Sequence, residues 1–236
     1  MPDAHPMPRL LCLAAVLLAT ASAGAQTATV GQPAPAFELV DVKGKVVKLS
    51  DFKGKHVVLE WTNPGCPFVQ KHYNSGNMPA TQKDAMGKGV VWLAINSTEK
   101  ASRDYLEPAR LVAWKTERKS SPSAVLMDEE GTVGKAYGAR TTPHMYIVNP
   151  QGQLIYAGGI DSIPSANVAD IAKATNYVKA GLSEALAEVA GDDPDLHDAL
   201  LMRFAAMAEH MRNRDHTGSP VGACGHSPGQ ATKPVA

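Results

Sequence analysis

Cysteine is scarce in this 236-residue chain, with three in all, so a framework stapled by several disulfides is excluded. Net charge is lacking too: 23 lysines and arginines balance 23 aspartates and glutamates, and no field of one sign draws in nucleic acid or an anionic membrane. No nucleic-acid partner is expected. Beyond the opening segment, no stretch approaches the roughly 20 apolar residues that a membrane-crossing helix needs, so the protein is not expected to be membrane-embedded.

What is present begins with an export pattern. Arg9 precedes an apolar run over 10–19, which gives way to small residues ending in Ala23-Gly24-Ala25. Residues 1–25 are therefore expected to be a cleaved signal peptide, with cleavage after Ala23 as the alternative, and the destination a periplasmic or otherwise exported one. Cys12 lies inside the apolar run with no small residue before it, which argues against a lipid anchor. After cleavage Cys66 and Cys224 remain, enough for one intramolecular bond where disulfides persist.

Prolines at 33 and 35 lead into a short strand at 37–40, and Lys43-Gly44 turns the chain into a second at 46–49. Residues 56–61 and 90–95 are apolar runs of the kind buried on both faces of a sheet, separated by expected helices at 67–73 and 79–86, each opened by proline. That order implies a right-handed parallel crossover. A helical stretch over 98–119 broken at Pro108, a strand at 123–127, a hairpin of 145–148 with 154–157, and a helix over 165–189 complete an α/β domain over 26–190. Residues 191–214 carry an apolar stripe, Leu196, Leu200, Phe204, Met207 and Met211, and form an expected helical extension. Residues 215–236 are rich in glycine, proline and serine and form an expected flexible tail.

Cys66 follows a buried strand and directly precedes Pro67, which places its sulfur at the first turn of a helix. Unpaired amides and the positive end of the dipole favour a thiolate there, and a thiolate is a nucleophile. The bland alternative is an inert buried cysteine.

The segments 34–39, 61–69 and Thr141-Thr142-Pro143 resemble the redoxin branch of the thioredoxin superfamily, which includes the alkyl hydroperoxide reductase and thiol-specific antioxidant (AhpC/TSA) proteins and exported thioredoxin-like proteins. The resemblance spans roughly residues 31–180. It implies a thioredoxin-like three-layer sandwich with a mixed central sheet, a cis peptide bond before Pro143, and a docking wall for a partner thiol built from Thr142 and Pro143. It also implies for Glu60, six residues before Cys66, the role of a buried carboxylate that handles protons. A strand-end glutamate reaching water is the alternative.

The departures are equally specific. Thioredoxins place a second cysteine where this chain has Val69. Peroxiredoxins place a peroxide-binding threonine where it has Asn63, a residue still able to donate a hydrogen bond. Cys224 is a candidate resolving thiol, with a bystander or an interchain partner as the alternatives. His210, His216 and His226 near Cys224, together with Cys66 and His72 or His144, raise a metal-delivery alternative, although no spacing matches a zinc module. The expected function is thiol-disulfide exchange or related antioxidant chemistry with a thiol or disulfide protein partner, without cofactor or metal. A thiol peroxidase, a metal-delivery protein and a binding module that performs no chemistry are the alternatives.

Overall fold

The computed structural model describes residues 27–190. The leader, the 191–214 extension, the tail, Cys224 and the three histidines beside it all lie outside the described residues. Seven strands form one mixed sheet in the order β2-β1-β5-β4-β3-β6-β7. These are β1 (Glu38–Asp41), β2 (Val46–Lys48), β3 (Val57–Trp61), β4 (Val91–Asn96), β5 (Ala124–Met127), β6 (His144–Val148) and β7 (Leu154–Gly158). β3 pairs in parallel with β4, and β4 with β5, while β6 returns antiparallel against β3 and β7 against β6.

All of β3 and β4 is buried, as continuous apolar runs in a sheet covered on both faces should be. Alternation divides the core into two layers. Val58, Trp92, Met145 and Ile147 face helices α1 (Pro67–Asn74), α2 (Asn77–Gly87) and α5 (Tyr177–Ala190). Leu59, Trp61, Leu93, Ile95 and Tyr146 face α4 (Thr132–Tyr137) and the N-terminal arm. Helix α3 (Pro108–Glu117) sets Leu111 against Ala94 and Val125. Both anticipated hairpins form, with left-handed glycines, Gly44 and Gly152, at their turns.

Several boundaries differ from expectation. Pro108 opens α3 where the sequence suggested an interruption, because a helix tolerates proline in its first turn, and 98–107 is a loop. The 165–189 stretch divides into a 3₁₀ segment, Val168–Lys173, and α5. Helix α2 starts at Asn77, after left-handed Gly76, rather than at Pro79. The six-residue α4 has too little periodicity to register in the sequence, and left-handed glycines bound it at both ends.

Polar contacts fix two of these elements. Trp61 Nε1 donates to Ser97 Oγ (3.0 Å), which donates to Asp128 Oδ2 (2.6 Å), and Asp128 accepts the Val133 and Gly134 amides at the start of α4. On α1, Lys71 Nζ lies 3.1 Å from both Asp161 Oδ2 and the Ile163 carbonyl, while His72 Nε2 stands 3.6 Å from Asp161. The other ring nitrogen of His72 meets Asn77 Nδ2 at 2.8 Å. Burial pushes the His72 pKa down to about 4, against the pull of Asp161.

Two outcomes follow. A β-carbon on Gly134 would stand 3.1 Å from Ser97 Oγ, which cannot retreat without breaking its bonds to Trp61 and Asp128. Gly134→Ala should therefore cost about 1–3 kcal/mol in urea unfolding. For His72, the unfolded chain takes up the proton near pH 6.5 and the folded chain only near 4, so stability should fall as pH drops across that window. The slope is at most about 1.4 kcal/mol per pH unit from this group, and His72→Gln should flatten it in the same assay.

Candidate functional site

The β3–β6 pairing builds the site. Trp61 stands opposite His144 at the end of the ladder, so the chain leaving β3 runs beside the segment entering β6. The intervening turn is held by an Asx contact, Asn63 Oδ1 accepting the Gly65 amide at 2.8 Å, and by Cys66 N donating to the Asn63 carbonyl at 3.0 Å. Asn63 thus spends its side-chain oxygen on shaping the turn.

Cys66 is the N-cap of α1 and Pro67 its first residue. The first backbone bond of the helix runs from Gln70 N to the Cys66 carbonyl (2.9 Å), which leaves the Phe68 and Val69 amides in the first turn without an intrahelical acceptor, although the sulfur makes no capping hydrogen bond to them. The Thr142-Pro143 bond is cis, and the Cys66 thiol donates to the Thr142 carbonyl at 3.1 Å. Cys66, Thr142 and Pro143 therefore meet as the sequence suggested. The sulfur is nonetheless almost sealed, with 2% of Cys66 exposed.

Glu60 points to the same face of β3 as Val58, toward α1, and is 0% exposed, which rules out a carboxylate reaching water. Four donors converge on it. Oε1 accepts from Tyr73 Oη (2.5 Å), Oε2 accepts from Trp92 Nε1 (2.8 Å) and Gln82 Nε2 (3.0 Å), and Lys115 Nζ stands 3.8 Å from Oε1. Lys115 also donates to Tyr73 Oη at 2.5 Å, and Ser120 Oγ donates to Gln82 Oε1 at 2.8 Å. Burial lowers the Lys115 pKa while Glu60 pulls it back up; burial and the Glu60 charge raise Tyr73 well above 10. Among the described residues no hydrogen bond joins Glu60 to Cys66, so any influence on the sulfur acts through the field of this cluster.

Sequence reasoning missed Tyr73, Gln82, Trp92 and Lys115, since long-range polar convergence leaves no local spacing. The hydroxyl oxygens of Thr62 and Thr142 are sealed from solvent and find no hydrogen-bond partner among the described residues. One step past the Trp61–His144 pair, Thr62 falls opposite Pro143. Cys66, His72 and His144 are not gathered together: His72 is held at Asp161 and Asn77, and His144 Nδ1 sits 3.1 Å from Tyr146 Oη. No group of three His, Cys, Asp or Glu placed to hold a metal ion occurs among the described residues.

The Glu60 cage yields a direct test. Lys115→Met strands a buried carboxylate without its cation and should cost about 3–5 kcal/mol in urea unfolding. Adding Glu60→Gln should recover part of that loss, a coupling that two independent sites would not show.

Comparison with known proteins agrees with this geometry. The sequence profile of the AhpC/TSA family matches residues 30–157. The thiol-disulfide oxidoreductase ResA of Bacillus thuringiensis is 25% identical over 126 residues, 53% of this chain and 67% of that protein. The peroxiredoxin Bcp of Bacillus subtilis is 28% identical over 115 residues, 47% of this chain and 64% of that protein. Among solved structures, an uncharacterized conserved protein from Geobacillus kaustophilus superposes with a TM-score of 0.55 at 30% identity, covering 67% of this chain and 82% of that one. The profile match takes in more than half the chain and includes the β3–α1 turn that carries Cys66 and the cis proline it faces: this chain belongs to the AhpC/TSA family.

Proposed function

We propose that this protein performs thiol-disulfide exchange through a single nucleophilic cysteine, Cys66, and does so after export. The chain is an oxidoreductase of the thioredoxin fold, in keeping with its family and its ResA relative. One observation carries the assignment of Cys66: its sulfur lies at the N-terminus of α1, 3.1 Å from the carbonyl that precedes the cis proline.

In the exchange reaction the Cys66 thiolate attacks one sulfur of a partner disulfide, a new S–S bond forms, and the other sulfur leaves as a thiolate. Thr142 and Pro143 form the wall against which the partner docks. Val69 occupies the position one helical turn on, so the mixed disulfide must be resolved by another thiol, and Cys224 is the candidate within the chain. Glu60, held between Lys115 and Tyr73, sets the electrostatics under the sulfur. The export pattern over 1–25 supports an extracytoplasmic site of action.

A second reading is peroxide reduction, favoured by the sealed, unpartnered hydroxyls of Thr62 and Thr142 and by the likeness to Bcp. There the thiolate would attack a peroxide oxygen, giving a sulfenic acid and releasing an alcohol or water.

Mass spectrometry and stopped-flow rates on the mature protein test both. Cys66→Ser should reduce exchange with a peptide disulfide by 100-fold or more, and Cys224→Ser should let the mixed disulfide accumulate. Retention of exchange in Cys66→Ser overturns the assignment. Sulfenic acid formed by one equivalent of hydrogen peroxide faster than disulfide exchange would establish the second reading instead.

A further inference from the structure

The loop expected to be helical, residues 98–107, packs against the turn that carries Cys66. Asn96 ties its start to the end of β3, donating from Nδ2 to the Thr62 carbonyl (3.1 Å) and accepting the Thr98 amide at Oδ1 (3.0 Å). Turns closed from Ser102 N to Glu99 O (2.9 Å) and from Tyr105 N to Ser102 O (3.0 Å) shape its middle, and Ser102 Oγ accepts the Asp104 amide (3.2 Å). Tyr105 Oη donates to Glu129 Oε1 (2.5 Å), Lys100 Nζ meets Glu129 Oε2 (2.8 Å), and Leu106 packs beside Leu111.

These anchors place Asp104 against the active turn. A β-carbon on Gly65, the exposed residue before Cys66, would stand 3.4 Å from the Asp104 Cγ and 3.5 Å from its Oδ1. Among the described residues no lysine or arginine forms an ion pair with Asp104. The turn that leads into Cys66 therefore carries a carboxylate on its exposed flank, without an ion-paired cation among the described residues.

Resting on Cys66 as the reacting thiol, we propose that Asp104 is a specificity-determining residue, favouring disulfides with a cationic group beside the sulfur and disfavouring anionic ones. A single charge at the rim of a partly desolvated site shifts such rates by a few-fold to about tenfold, and salt screens the effect.

The test uses the full chain with Cys12→Ser and Cys224→Ser, which leaves Cys66 as the one thiol. Second-order rates are measured with three disulfides: dithiobis(nitrobenzoate), which is anionic; dithiodipyridine, which is neutral; and cystamine, which is cationic. Each rate is divided by the neutral rate, which cancels any change in the reactivity of the thiol itself. Asp104→Asn should raise the anionic ratio about 3- to 10-fold and lower the cationic ratio by a similar factor, with both changes shrinking in 0.5 M salt. Asp104→Glu should leave both ratios near the parent values. Ratios unchanged in Asp104→Asn while the neutral probe still reacts overturn the role of Asp104 and leave Cys66 intact. A shift in Asp104→Glu equal to that in Asp104→Asn also overturns it, since shape rather than charge would then decide. A parent protein that fails to react even with the neutral probe overturns the exchange reading and this inference together.

Discussion

The antiparallel pairing of β3 with β6 is the constraint on which the site depends. With Trp61 fixed opposite His144, the residues that follow the one strand and precede the other must share a corner. The Asn63–Gly65 turn then needs only a short path to set Cys66 at the head of α1, where its thiol meets the Thr142 carbonyl. A register slip of one residue would reverse the faces of β3, sending Glu60 out of its cage and Leu59 into it. The strand that positions Cys66 is thus the same one that carries the buried carboxylate, and neither can be moved alone.

Burying a carboxylate and an ammonium together is unfavourable unless each finds enough partners, and the cluster around Glu60 meets that condition. Tyr73 joins the two charges by donating to one and accepting from the other, and Gln82, itself fixed by Ser120, completes the shell with Trp92. Because its members come from β3, α1, α2, β4 and α3, the cluster also fixes how those elements sit against one another.

Much of this was legible in the sequence, and for identifiable reasons. The two buried strands announced themselves as unbroken apolar runs, and Cys66-Pro67 after such a run marked a helix start. Thr142-Pro143 carried its meaning through resemblance to a family rather than through spacing. What stayed hidden depends on distant convergence. Nothing near Lys115 in the sequence marks it as buried, since its neighbours Thr116 and Glu117 face solvent. In the sequence Glu60 fits both a buried acid and a solvated one, and only the approach of α1, α2 and α3 decides between them. The loop over 98–107 suggests helix in sequence because its polar residues suit either state, and the bonds of Asn96 and Glu129 that fix it bridge separate elements.

The hold on α1 has a mechanical consequence. Its far half is fastened on two sides, by Tyr73 to the Glu60 cage and by Lys71 and His72 to Asp161, so the helix cannot tilt or slide without breaking buried polar contacts in both directions. Any rearrangement that uncovers the sealed sulfur of Cys66 must therefore come from the segments around it, with the helix as their fixed abutment.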